Sequence, residues 1–273
     1  MVITSTKNEQ IKQVKSLLLQ KTRVETGLFL VEGKRGVLDS LGLLSPKSIF
    51  VTNAFLDKHN KDLVGRLDTH CPTWDSRQLV LVDEKVMDHL CDTQKSQGIV
   101  AVFAKPVARE VSCSKVLYLD RVQDPGNMGS MIRSAAAFGF LDIVCNGCVD
   151  PYNPKVVRSA MSSFAYVNFA KVKTTAFGGD IVELKQQGYQ ILCADMQGIR
   201  YTDYLKEYKK RNKEKICLVV GNESNGIQQE ILNQATSTLC IPMQCVESLN
   251  VAVAASILMA GFAEDQGCCS TTK

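Results

Sequence analysis

Three short segments in the C-terminal half hold the residue types able to do chemistry. They are DPGNMGSMIR (Asp124 to Arg133), GNESNG (Gly221 to Gly226) and SLN (Ser248 to Asn250). Each contains an amide or hydroxyl, Asn127 in the first and Ser248 and Asn250 in the third, and glycines accompany the first two. That mixture suits a polar small molecule gripped by backbone N–H and C=O groups, which glycine lets approach closely. Arg133 and Glu223 are the charged groups beside it. A guanidinium keeps its proton, so general-base work is an awkward role for Arg133. His59, His70 and His89 all lie in the first third of the chain, and no Ser-His-Asp or Cys-His set forms around the three segments.

Two nucleotide motifs fail. Gly126 and Gly129 give G-x-x-G rather than the dinucleotide G-x-G-x-x-G, and Asp142 stands at the start of its strand instead of the end. GNESNG has the outer glycine spacing of a P-loop, yet Ile227 and Gln228 stand where Lys and Ser/Thr are required.

The elements that position these segments follow from periodicity. From Lys115 onward, apolar strand runs (VLYLDRV, LDIVCNG, YVNFAKV, YQILCADM, ICLVVGNE, STLCIPM) alternate with helical runs (NMGSMIRSAAAFG, PKVVRSAMSSF, DIVELKQQG, IQQEILNQA, SLNVAVAASILMAGFAED). This predicts an α/β domain with a parallel sheet covered on both faces, and each of the three segments falls at a strand's carboxyl end, where such sheets bind ligands. The charged stretch KEYKKRNKEK reads as a solvated loop or face, and the closing GCCSTTK as frayed. Residues 1–20 read as one amphipathic helix. LFLVEGKRGVLDSL, KSIFVTN, FLDKHNKDLVGRL, LVLVDEKVMDHL and GIVAVFAK then complete a smaller α/β unit. KPVAREVSCSK, polar and aperiodic, is the linker. The expected domains are 1–105 and 106–273.

In order along the chain stand N-x-G-x-x-x-R, V-V-G-N-E-x-x-G, I-P-M and S-L-N-V. Here the chain resembles the SpoU family of RNA ribose 2′-O-methyltransferases, in the SPOUT superfamily. The resemblance rests on DPGNMGSMIRSAAAFG (124–139), LVVGNESNGI (218–227), IPM (241–243) and ESLNVAVAASIL (247–258), with a weaker match at DPYNPKVVRSAM (150–161). The run TSTKNEQIKQVKSLLLQKTRVETGLFLVEGKR resembles that family's RNA-substrate-binding domain, an L30e-like α/β unit.

The resemblance implies a deep trefoil knot, S-adenosylmethionine as cofactor, structured RNA as substrate (ribosomal before transfer RNA) and a homodimer whose active sites borrow from the other subunit. It carries over Arg133, Asn127, Glu223, Ser248 and Asn250 as catalytic. Gly221, Ile241, Met243, Ser248, Leu249 and Asn250 carry over as cofactor contacts, and Lys155 and Arg158 as RNA contacts. Lys7, Lys12, Lys15 and Arg23 add a basic N-terminal face for RNA, with no metal implied. The family's R-x-S-x-G becomes Arg158, Ala160 and Ser162 here, and the loop after Met243 has Gln244 and Cys245 where a glycine is usual. A small-residue stripe, Ala252, Ala255, Ser256 and Met259, fits close approach of another element to the final helix.

Plainer readings stand beside these. Arg133 also reads as a surface arginine; Asn127, Glu223 and Ser248 also read as helix caps. Cys145 and Cys148 lack the second ligand pair that zinc needs and read as strand-end residues. A catalytically quiet RNA-binding relative in ribosome assembly and a doubly wound oxidoreductase are the rival functions. The intact Asn127, Arg133, Glu223, Ser248, Asn250 set favours the transferase.

The 273 residues, 45% hydrophobic and 22% charged, bound a globular chain with room for two domains. A net charge of +4 permits a polyanionic partner without requiring one. Eleven cysteines with no framework spacing argue for reduced thiols. No secretory leader is apparent and no apolar run is long enough to span a membrane. The expected compartment is cytoplasmic, with an organelle as the alternative.

Overall fold

A computed structural model describes residues 2–172, 179–210 and 214–263, in two units. One comprises Met1–Val107, Asp124–Gly129 and Val149–Tyr166; the other Ala108–Gln123, Ser130–Cys148 and Val167–Lys273, as far as described. The closing GCCSTTK, with Cys268 and Cys269, lies outside the described residues. No helix among those described is long and apolar enough to cross a membrane.

The first unit carries a mixed five-stranded sheet. Its elements are β1 (Val2–Ile3), α1 (Glu9–Ser16), α2 (Gln20–Thr26), β2 (Leu28–Glu32), α3 (Lys34–Leu41), β3 (Pro46–Val51), α4 (Asn53–His70), β4 (Leu79–Val82), α5 (Glu84–Leu90) and β5 (Ile99–Ala104). The strand order is β1-β4-β3-β5-β2. β3 lies parallel to β4 and antiparallel to β5, which also pairs antiparallel with β2. The single helix expected over 1–20 is instead a strand and two helices. Val2 and Ile3, both β-branched, pair with Leu81 and Val82. Asn8 then starts α1 by accepting the Gln10 amide at 2.9 Å. Gly27, at φ 66°, closes α2.

Arg23 on α2 is 1% exposed. Its Nε meets Asp150 Oδ2 at 2.7 Å, and its Nη1 donates to the Leu17 and Leu18 carbonyls at 2.8 and 2.9 Å. This corrects the expectation of an RNA-facing arginine: its polar atoms satisfy buried backbone and a buried carboxylate within the unit.

The second unit is built on β6 (Lys115–Asp120), α6 (Pro125–Phe138, from Ser130 onward), β7 (Asp142–Asn146), β8 (Asn168–Phe169), α8 (Gly179–Gln186), β9 (Gln190–Arg200), α9 (Tyr201–Tyr208), β10 (Ile216–Val220), α10 (Gln229–Leu232), β11 (Ser237–Cys240) and α11 (Val251–Gly261). The helix α7 (Pro154–Ala160) belongs to the first unit. Six strands in the order β11-β9-β10-β6-β7-β8 pair in parallel throughout, as the alternation predicts. The buried run Ile216–Val220 explains why: every side chain is covered, so helices flank both faces. Two details differ from expectation. The strand in YVNFAKV is only Asn168–Phe169. The first part of the charged stretch is helical, because Tyr204 and Tyr208 pack on Phe262 while Lys206 and Lys210 pair outward with Asp203 and Glu207. The linker is pinned rather than loose: Ser112 and Cys113 amides each donate to Asp142 Oδ2 at 2.7 Å.

Removing one partner of a buried ion pair strands the other. Arg23→Ala leaves Asp150, 8% exposed, without its cation and is expected to destabilise the protein by about 3–5 kcal/mol, read as a lowered urea midpoint. An unchanged midpoint would show that the pair contributes nothing.

Candidate functional site

The site begins at Asp120, the fully buried last residue of β6. Its carboxylate accepts from the Gln228 amide at 2.9 Å and from Asn146 Nδ2 at 3.1 Å, and meets the Arg121 guanidinium at 3.3 Å. A buried charge is tolerated only with such partners. The chain then turns at Arg121, whose φ of 57° is uncommon for a residue with a side chain. That turn aims the Arg121 N–H at the Asn146 carbonyl (2.7 Å) and brings its own carbonyl to Asn222 Nδ2 (2.8 Å).

GNESNG is therefore held from β6. Asn222 Oδ1 accepts from the Ser224 and Asn225 amides, each at 3.0 Å, and the Asn222 and Gly226 backbones pair in both directions at 3.0 Å. The loop closes on itself. A Cβ on Gly221 would lie 2.3 Å from the Gly226 carbonyl carbon and 2.4 Å from the Ile227 nitrogen, so this position admits only glycine. Glu223 is exposed, and its Oε2 accepts from the Gln123 amide (3.4 Å) and Asn222 Nδ2 (3.3 Å). It does not cap α10, whose N-cap is Gln228.

A cleft of about 190 Å³ opens around the carboxyl ends of β10 and β11. Gly221, Ile241, Met243, Ser248 and Leu249 line it, and so does Glu223. Sequence reasoning missed Asp195 and Met196 from β9 and Val251, Ala254 and Leu258 from α11. Signals for both were present. Asp195 follows the apolar run of YQILCADM, and Val251, Ala254 and Leu258 recur at helical spacing. The lining includes two carboxylates, Asp195 and Glu223, and, among the described residues, no Lys, Arg or His. Apolar walls with a polar rim fit a flat, partly polar ligand whose charge is neutral or positive.

Other predicted residues stand elsewhere. Asn250 is the N-cap of α11, accepting from Ala252 and Val253 amides at 2.9 and 3.2 Å, so the cap is not Ser248. Asp124 Oδ1 accepts the Asn127 amide at 2.7 Å and caps α6 in its place. Arg133 is exposed on α6 and does not line the cleft. The first of the three segments is thus absent from the lining among the described residues. The small-residue stripe of α11 is used inside the chain: Ala252, Ala255 and Met259 are buried, and Ser256 Oγ lies 2.7 Å from Ser134 Oγ.

Of the residues expected to meet RNA, Lys7, Lys12 and Lys155 are exposed. Lys12 pairs with Glu9 at 2.7 Å, and half-buried Lys15 reaches the Cys91 carbonyl at 3.5 Å. Arg158 is committed to Glu32 and, at 3.2 Å, to Asp92, so its guanidinium meets carboxylates rather than solvent alone. Cys148 Sγ donates to the Leu119 carbonyl at 3.2 Å, and a hydrogen bond from Cys145 lowers its thiol below the usual range. Burial pushes Cys193 up to about 12.

Residues 114–260 match the model of the SpoU rRNA Methylase family, and residues 8–101 match that of the MRM3-like substrate binding domain. The chain is 32% identical over 260 residues to the 23S rRNA (guanosine(2553)-2'-O)-methyltransferase RlmP of Bacillus subtilis, covering 94% of this chain and 97% of that one. Its fold is similar to an rRNA methyltransferase from Sinorhizobium meliloti, with a TM-score of 0.78, 25% identity and 96% of each chain covered. The AdoMet-bound crystal structure of an rRNA methyltransferase from the same organism gives the same TM-score at 24% identity, over 96% of this chain and 97% of that one.

Gly221→Ala forces backbone apart at the cleft wall. The expected loss is about 1–3 kcal/mol, seen by calorimetry as a lower unfolding temperature. A variant melting with the wild type would show that the loop yields without cost.

Proposed function

The chain belongs to the SpoU rRNA Methylase family, and on that premise we propose that it transfers a methyl group from S-adenosylmethionine to a ribose 2′-hydroxyl of structured RNA, ribosomal RNA before transfer RNA. The observation that carries this reading is that five of the six residues carried over as cofactor contacts (Gly221, Ile241, Met243, Ser248 and Leu249) line one cleft. The sixth, Asn250, fixes the start of the helix behind them.

The cofactor supplies an electrophilic methyl on a sulfonium. The chain's own residues bind, orient and handle the nucleophile. Gly221 lets the backbone of GNESNG border the cleft. Ile241, Met243 and Leu249 present apolar surface, and Ser248 a hydroxyl at the rim. Asp195 is suited to a ribose hydroxyl or an ammonium. Glu223 braces the Gln123 amide and Asn222, and so keeps the β6 and β10 loops in one arrangement. Arg133 holds the substrate's phosphate and stabilises the alkoxide as the hydroxyl proton leaves. Asn127, in the first turn of the same helix, serves the same nucleotide. Arg133 does this in a homodimer, each copy lending it to the other's cleft.

Residues 1–105 act as the RNA substrate-binding domain and 106–273 as the knotted catalytic domain. The two family matches, at 8–101 and 114–260, support that division. A backbone-on-backbone pass supports the knot: a Cβ on Gly198 would lie 2.5 Å from the Thr238 carbonyl carbon. The thiols, buried in strands at Cys193 and Cys217, support a reducing compartment, the cytoplasm or an organelle interior.

Ribose methylation mapped across cellular RNA with and without this protein is expected to lose a single ribosomal site. No lost site would favour the quiet RNA-binding reading. Arg133→Ala is expected to lower methyl transfer by a factor of about a hundred or more, while calorimetric S-adenosylmethionine affinity changes less than about threefold. Wild-type turnover would remove Arg133 from the chemistry.

A further inference from the structure

A second cavity, of about 150 Å³, lies wholly within the first unit. The start of α3, the loop after α5 and the helix Pro154–Ala160 frame it. Neither the proposed methyl transfer nor the cofactor cleft uses it. Its walls are aliphatic where Val31, Val157 and Met161 meet. Met161 is held at φ 56° and ψ −138°, a conformation that costs a residue with a side chain about 1–3 kcal/mol and recurs at ligand clamps.

The polar groups are arranged by sign. Glu32, which lines the cavity, is already neutralised: Arg158 pairs with one oxygen, and the Asp92 amide donates to the other at 2.9 Å. Gln97 Oε1 accepts the Lys34 amide at 2.8 Å, which leaves the carboxamide's NH₂ as its donor. Arg35 and Lys95 line the same cavity and are both exposed. Arg35 has one ion pair among the described residues, to Asp39 at 3.6 Å, and Lys95 has none there. The carboxylate on the wall is thus paired internally, while two cations remain for an outside anion. Aliphatic walls, an amide donor and adjacent cations together match a nucleotide: a base for the walls, a base acceptor for Gln97, a phosphate for Arg35 and Lys95.

We infer that this cavity receives one nucleotide of the bound RNA, outside the residue that is methylated. The inference rests on the reading of RNA as substrate. Loops and strands splayed into such pockets are the usual target of RNA recognition.

The test uses the full chain with ¹³C-methyl methionine. Eight methionines keep the spectrum assignable, with Met161→Leu identifying its own signal. The titrants are the four nucleoside 5′-monophosphates, a short single-stranded RNA and inorganic phosphate. A saturable shift of the Met161 methyl is expected with at least one monophosphate and with RNA, and none with phosphate alone. Arg35→Glu with Lys95→Glu is expected to weaken both by about tenfold or more, with S-adenosylmethionine affinity unchanged. No shift with either nucleotide or RNA overturns the site. A shift with monophosphates but not RNA assigns the cavity to a free nucleotide and overturns its place in RNA binding. An equal shift with phosphate overturns base recognition. Methyl transfer is assayed separately: nucleotide capture in a protein that transfers no methyl sinks the proposed reaction and leaves the cavity's occupant standing.

Discussion

The buried carboxylate of Asp120 is the constraint on which the second unit's working end depends. It sits where β6 stops, between β10 and β7. An ion in that position must be fully bonded or the strand ends cannot close over it. Its partners come from three places: Gln228 after β10, Asn146 at the end of β7, and Arg121 beside it. Meeting them forces Arg121 into its left-handed turn, and that turn delivers the carbonyl that holds Asn222. The GNESNG loop therefore owes its shape to a charge that never reaches the cleft.

Much of this architecture was legible. Continuous apolar runs and period-3.6 runs located most elements of both units, because the central strands β6 and β10 are buried and most flanking helices have an apolar side. The N-terminal helix was misread because Ile11, Val14 and Leu18 continue a helical spacing that Asn8 and Leu19 interrupt, and a cap outweighs periodicity at a boundary. The helix Tyr201–Tyr208 was masked by its lysines. Its aromatic spacing, which packs on Phe262, was the better signal. Caps went to Asp124 and Asn250 in place of Asn127 and Ser248, a difference of two or three residues that periodicity does not resolve.

The candidate site was readable for a different reason. Gly221, Ile241, Met243, Ser248 and Leu249 were carried over from a family likeness, not from any physical rule about spacing. Asp195 was passed over because it sits inside what reads as continuous strand. Arg23 was misassigned because a basic residue among lysines looks like surface; only the distant Asp150 reveals its burial. Such long-range pairings are invisible to any local pattern, and so is the backbone pass at Gly198, which depends on the distant Thr238.

Charge balance carries the proposed chemistry one step further. Among the described residues the cleft is lined by Asp195 and Glu223 and by no cation. A sulfonium is positive, and a wall with that balance stabilises it before transfer. The same wall opposes an alkoxide, which is negative. A single chain thus provides for the electrophile and works against the nucleophile. Deprotonating a ribose hydroxyl there requires a cation brought from outside the lining, and Arg133 stands exposed on α6 with its guanidinium available for that duty. In the proposed reaction the two demands are met separately: acid on the wall for the cofactor, an arginine from outside the lining for the oxygen.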